Sequence, residues 1–159
     1  MSNESSPSAQ PSQKQKAYTE YAIYKPNGRG TGGVIRFDLN RVKRALFVDA
    51  ASQSGEKSFD WENKLTMKWG LADLGNVLAT LQGTQAQAKL FHKTEKANSA
   101  FELQRRDDPS KAPYMMSVSR QEEVNGAKSV QRVAIPLTHG EAAILEIALR
   151  SAVVRLLGW

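Results

Sequence analysis

Along residues 59–83 the apolar positions change period, from alternation to helical spacing. Leu65, Met67 and Trp69 alternate with Lys64, Thr66 and Lys68, which predicts a strand over residues 64–69 with one apolar and one basic face. From Leu71 onward Leu74, Leu78 and Leu81 follow at steps of three and four, and Gly83 stands where a helix ends. A strand thus runs into a helix that must pack on a sheet. The free face of that sheet carries evenly spaced lysines.

The same patterning places three strands before this unit. Residues 19–25 predict the first, residues 34–39 the second and residues 42–50 the third. The third sets Val42, Arg44, Leu46 and Val48 on one face and Lys43, Ala45, Phe47 and Asp49 on the other. The glycine-rich segment 26–33 has the composition of a phosphate loop, but such a loop opens a helix and this one opens a strand, so a hairpin loop is expected.

The plan then repeats. Over residues 86–93, Ala86, Ala88, Leu90 and His92 alternate with Gln87, Lys89, Phe91 and Lys93, giving a second basic face with a ring between two lysines. Residues 100–106, 114–120 and 129–135 predict three more strands. Phe101, Leu103 and Arg105 share a face, and Asn125-Gly126 marks a tight hairpin turn. Pro136 is expected to end the eighth strand, and Thr138 with Glu141 forms a capping box for a last helix. That helix has one i,i+4 ion pair, Glu146 with Arg150, yet is apolar around most of its circumference through Ile144, Leu145, Ile147, Ala148, Leu149, Val153, Val154, Leu156 and Leu157. One sheet cannot bury all of these, and the remainder is the kind of surface that other copies cover. Four strands and a helix, given twice, predict an α+β homo-oligomer.

Composition narrows the chemistry. At 159 residues the chain suits one domain, and with no cysteine it has neither a disulfide scaffold nor thiolate metal sites. No apolar run reaches the length of a membrane span. Residues 1–17, rich in Ser, Gln and Pro, are expected to form a disordered tail without signal or transit features, leaving residues 18–159 as the domain. The net charge is +6, and the tail's two lysines and one glutamate leave five of these charges on the domain, which favours an anionic partner. There are two histidines and no repeated carboxylate pattern. His92 alternates with apolar residues and suits a buried, hydrogen-bonded position, while His139 falls in a first helical turn at the surface. Asp107-Asp108 before Pro109 reads as turn chemistry. The expectation is a binding protein rather than an enzyme, with no cofactor, no metal and no small-molecule substrate.

Several short segments, in their order along the chain, carry a resemblance. They are Tyr-Ala-Ile-Tyr-Lys at residues 21–25, Phe-Asp-Trp at 59–61, Phe91-His92, Ser117-Val118, Ile135-Pro136 followed by Thr138, and the terminal Leu-Leu-Gly-Trp at 156–159. Over residues 19–159 the chain resembles the Whirly family of single-stranded DNA-binding proteins, in a bacterial or phage-type form. The resemblance implies two four-stranded antiparallel β-sheets packed crosswise with two helices, and a homotetramer joined through the helices. It also implies single-stranded DNA held between sheets of adjacent protomers with little sequence preference, serving DNA protection and repair or transcription regulation. After Lys25 the plant members continue Gly-Lys-Ala-Ala-Leu, a segment tied to assembly beyond the tetramer; here the glycine-rich segment stands in its place.

Single-strand binders combine cations along the backbone with rings on which bases stack. Lys64, Lys68, Lys89, Phe91 and Lys93 offer that combination, and under the resemblance they become the expected contacts. Tyr24 and Phe47 join them on polar faces, and Lys25 matches the family's first lysine at a strand end. Trp61 and Phe101 share parity with apolar neighbours, which suits a core position as well as a stacking one. RNA as the ligand, or a protein scaffold for acidic partners, stays open as the alternative. A cytoplasmic, nucleoid-associated location is expected.

Overall fold

The computed structural model describes residues 20–159; the expected tail at 1–17 lies outside the described residues. Each half of the chain forms a four-stranded antiparallel meander followed by a helix. The first holds β1 (Glu20–Lys25), β2 (Gly33–Asn40), β3 (Ala45–Ser52), β4 (Leu65–Trp69) and α1 (Leu71–Leu81). The second holds β5 (Gln87–Lys93), β6 (Ala97–Arg105), β7 (Tyr114–Val124), β8 (Ala127–Leu137) and α2 (His139–Leu156). Both sheets keep sequence order, so each connection between neighbouring strands is a hairpin or a simple loop.

The alternation read from the sequence decides which face goes inward. Ile23, Ile35, Phe37, Leu46, Val48, Leu65, Met67 and Trp69 point from the first sheet into one core shared with Leu90, Phe101, Leu103, Met116, Val118, Val133 and Ile135 of the second. β8 meets both β2 and β3, and β7 meets β4, which is the crosswise arrangement. Where β2 crosses β8 the backbone approach is close enough that a Cβ on Gly33 would lie 2.5 Å from Val133 Cγ1. The centre is aromatic: Trp69 meets Phe101 edge to face at 4.6 Å between ring centres, and Phe37 at 5.8 Å.

α1 packs on β5 and β6 and against α2. Its buried stripe is Leu74, Val77, Thr80 and Leu81, whereas Leu71, expected inside, is exposed in the first turn. Gly83 follows the C-cap with φ +84°, the left-handed stop the sequence predicted. α2 buries Ala142, Leu145, Leu149, Ala152 and Leu156 along one stripe and leaves Ile144, Ile147, Val154 and Leu157 exposed. Its capping box is formed: Thr138 Oγ1 accepts the Glu141 N–H at 3.1 Å, and Glu141 Oε1 accepts the Thr138 N–H at 3.0 Å.

Several boundaries differ from the expectation, and three of them have a clear local reason. The third strand begins at Ala45 because Asn40 pairs with Ala45 and residues 41–44 become the turn. Arg44 there takes φ +51°, Asn40 Oδ1 accepts the Lys43 N–H, and Val42 is 93% exposed. Pro136 lies inside β8 rather than after it, which is tolerated because β8 is an edge strand with one open side. The β7–β8 hairpin runs on to the predicted Asn125-Gly126 turn, where both residues have positive φ. Among the described residues no helix is long and apolar enough to cross a membrane.

Candidate nucleic-acid interface

Because the two sheets share one core, their other faces point away from each other into solvent. Register builds the outward face of the first sheet. Lys68 of β4 lies opposite Phe47, Thr66 opposite Asp49, Asp49 opposite Arg36 and Phe47 opposite Asp38. Directly opposed residues share a face, so basic, acidic and aromatic groups from three strands converge there. They line a shallow hollow of about 320 Å³ between Arg36, Lys43, Phe47, Asp49, Lys64 and Thr66. Phe47 is half-buried with Lys43 Nζ 5.6 Å from its ring centre, a cation–π distance.

Asp49 is the buried centre of this face. Its Oδ2 accepts from Arg36 Nη2 at 2.7 Å, its Oδ1 accepts from Thr66 Oγ1 at 2.7 Å, and Lys64 Nζ stands 3.9 Å away. Burial works against the Arg36 charge, but the Asp49 hydrogen bond and the charges of Asp49, Glu20 and Asp38 outweigh it and raise the guanidinium pKa above its ordinary value. The guanidinium carbon lies 4.4 Å from the centre of the Trp61 ring.

Trp61 therefore belongs to the outward face, not to the core. It sits in a one-turn 3-10 helix, Trp61–Asn63, that leads into β4 and is held at its end by Gln131 Nε2 of β8, which donates to the Asn63 carbonyl at 3.1 Å. Tyr24, half-exposed at 52%, extends the aromatic row through a ring contact of 5.5 Å with Phe59. Behind this row Gln53 ties down the loop after β1. Its Oε1 accepts the N–H groups of Asn27 and Gly32, and its Nε2 donates to the Asn27 carbonyl. The glycine-rich segment is the expected hairpin loop.

The outward face of the second sheet is simpler. On β5, an edge strand, Lys89, Phe91 and Lys93 point outward opposite Glu102, Ala100 and Asn98. Ala100 is too small to cover the ring, and Phe91 stays 64% exposed. An exposed phenyl between two ammonium groups is costly for a solvated edge and useful for a ligand with flat bases and phosphates. Lysines at an edge also discourage strand pairing between copies, so the ring distinguishes the two roles. Directly behind it, His92 is half-buried and hydrogen-bonded, its Nε2 3.1 Å from Asp73 Oδ2, which also accepts the Gly70 N–H at the start of α1.

Two expected contacts lie elsewhere. Phe101 is fully buried against Trp69 and is no part of an outer face, because its partner across β7 is Val118 and both point into the core. Lys25, at the end of β1, has core-side parity and reaches Glu141 Oε1 at 2.7 Å, so its ammonium is engaged by the first turn of α2. Arg36, Asp49, Phe59 and Thr66 were not singled out from the sequence. Alternation alone could have placed Arg36 opposite Ile35 and Phe37 in parity, but not over Trp61.

Comparison with known proteins follows the same line. A family model described as Whirly transcription factor matches residues 36–148. No curated protein matches the sequence. WHY1 from Arabidopsis thaliana is similar in structure with a TM-score of 0.72 at 18% identity, over 91% of this chain and 88% of that one. WHY3 from the same plant gives 0.72 at 19%, over 91% of each chain. A guide-RNA-binding protein complex bound to a gRNA gives 0.64 at 13%, over 93% of this chain and 98% of that one. At such identities the likeness speaks to the fold.

Proposed function

The chain belongs to the Whirly family, and from that premise we propose that it binds single-stranded DNA, with little sequence preference, on the outward faces of its two sheets. The observation that carries the reading is the exposed Phe91 between Lys89 and Lys93, matched on the other sheet by Phe47 and Trp61 beside Lys64 and Lys68. Ammonium groups neutralise phosphates and release counterions, while the rings stack with any base, which is why such a surface is tolerant of sequence. It catalyses nothing: it shelters exposed strands, in DNA protection and repair or at promoters.

A strand that uses both stripes must pass between protomers, since within one protomer they face opposite ways. The exposed apolar residues of α2, Ile144, Ile147, Val154 and Leu157, supply the surface through which a homotetramer forms. RNA is the second reading. A single RNA strand offers the same phosphates and bases, and a protein of this fold is described as bound to a guide RNA.

Fluorescence anisotropy tests both, with a labelled single-stranded homopolymer of each sugar and a duplex of equal length at one fixed ionic strength. Single-stranded DNA is expected to bind tightest, with affinity falling with salt by about 0.7 log units per phosphate neutralised for each log unit of salt. Equal affinity for duplex, or none for any nucleic acid, would overturn the reading in favour of a scaffold for acidic proteins.

A further inference from the structure

A carboxylate buried in the middle of a cationic surface needs a reason, because it weakens the attraction of that surface for phosphate. Asp49 is 6% exposed and accepts two hydrogen bonds of 2.7 Å, from Arg36 and Thr66. Arg36 in turn has few other anchors. Its Nε is buried with no hydrogen-bond partner among the described residues, so the guanidinium is held by the bond to Asp49 and by the Trp61 ring 4.4 Å away. The chain of contacts runs from strand β3 through β2 to the turn before β4, and it ends on an indole that is only partly covered.

We propose that Asp49 is a positioning residue of the interface: it holds the Arg36 guanidinium over the Trp61 ring, so that the indole is a stacking platform set in place before a strand arrives. The proposal rests on the nucleic-acid reading above. Its physical basis is that a ring ordered in the free protein loses little conformational entropy on binding, whereas a ring on an unsupported turn must be ordered by the ligand. A guanidinium suits the task because it is planar and stacks, which an ammonium does not. The negative charge is the cost of that order, and Arg36 and Lys64 around it offset the charge.

The test exploits a sign. Asp49→Asn removes a negative charge from the surface, which by electrostatics alone tightens single-strand binding and steepens its salt dependence. A positioning role predicts the opposite sign in affinity, a loss of about tenfold, because stacking on the unsupported indole loses more than the removed charge returns. Arg36→Lys keeps the net charge and the carboxylate's partner, and it is expected to lose affinity to a similar extent. Acrylamide quenching in the free protein gives a readout independent of any ligand. In a Trp159→Phe background the buried Trp69 contributes little and Trp61 dominates, and both variants are expected to raise its quenching while melting within a few degrees of the parent.

Unchanged quenching, or an Asp49→Asn protein that binds as tightly as the parent or more tightly, would overturn the proposal. A parent protein that ignores single strands would overturn the interface reading instead, and the quenching comparison would still decide what Asp49 does to Trp61.

Discussion

Lys25 Nζ lies 2.7 Å from Glu141 Oε1, the same oxygen that accepts the backbone N–H of Thr138. One carboxylate thus closes the capping box of α2 and fastens the end of β1 to it. Burial works to raise the Glu141 pKa, but the Lys25 hydrogen bond, the Thr138 N–H and the Lys25 charge prevail and hold it below its ordinary 4.5. The group is therefore charged more readily in the folded chain than in the unfolded one. Its contribution is fully present above pH 4.5 and is lost as pH falls through the depressed value. Glu141→Gln should remove that part of the acid sensitivity and cost about 1 kcal/mol at neutral pH. Lys25→Ala should move the acid loss back toward the ordinary glutamate range. Melting temperature against pH measures both, and profiles identical to the parent would contradict the assignment.

On β5 the rings and the cations are separable. Lys89→Ala should weaken single-strand binding and flatten its salt slope by roughly 0.7. Phe91→Ala should cost about 1 to 3 kcal/mol of binding with the slope unchanged. Because Phe91 is 64% exposed, its loss should leave stability within about 0.5 kcal/mol. Anisotropy titrations at several salt concentrations, paired with thermal melts, distinguish the three outcomes.

Phe101→Ala is the contrast. The ring is fully buried against Trp69, so truncation should cost about 3 to 5 kcal/mol of stability. Denaturant midpoints report it, and a cost under about 1 kcal/mol would mean that the aromatic centre of the core is packed differently.

Assembly is tested on α2. Ile147 is 67% exposed in the protomer, and Ile147→Asp should give a folded chain that no longer assembles. Leu145, buried on the opposite stripe, should fail to fold as Asp. Light scattering should report about four chains for the parent and fewer for the Ile147 variant. A parent protein that is monomeric at micromolar concentration would end the tetramer model.

Periodicity in the sequence determined the order of elements, the inward faces of β3, β4 and β5, the Asn125-Gly126 turn and the cap of α2. Each of these depends on residues within a few positions of one another, so the local pattern carries them completely. The motifs shared with the Whirly family reached the same architecture from another side.

What alternation cannot carry is the register between strands and the path of the turns that join them. Trp61 lies in a turn, where no period applies, and only the tertiary structure lays it over Arg36 on the outward face. Phe101 and Phe91 sit on neighbouring strands; the parity of β5 turned Phe91 outward, but that Phe101 meets Trp69 edge to face at the centre of the core comes only from the packing of the two sheets. Lys25 looked free at a strand end until α2, more than a hundred residues later, brought Glu141 to it. Asp49 shows the limit most clearly. Its parity was legible, but its meaning comes from Arg36 and Thr66 on the two flanking strands, and side-chain hydrogen bonds between strands exist only once the register is set.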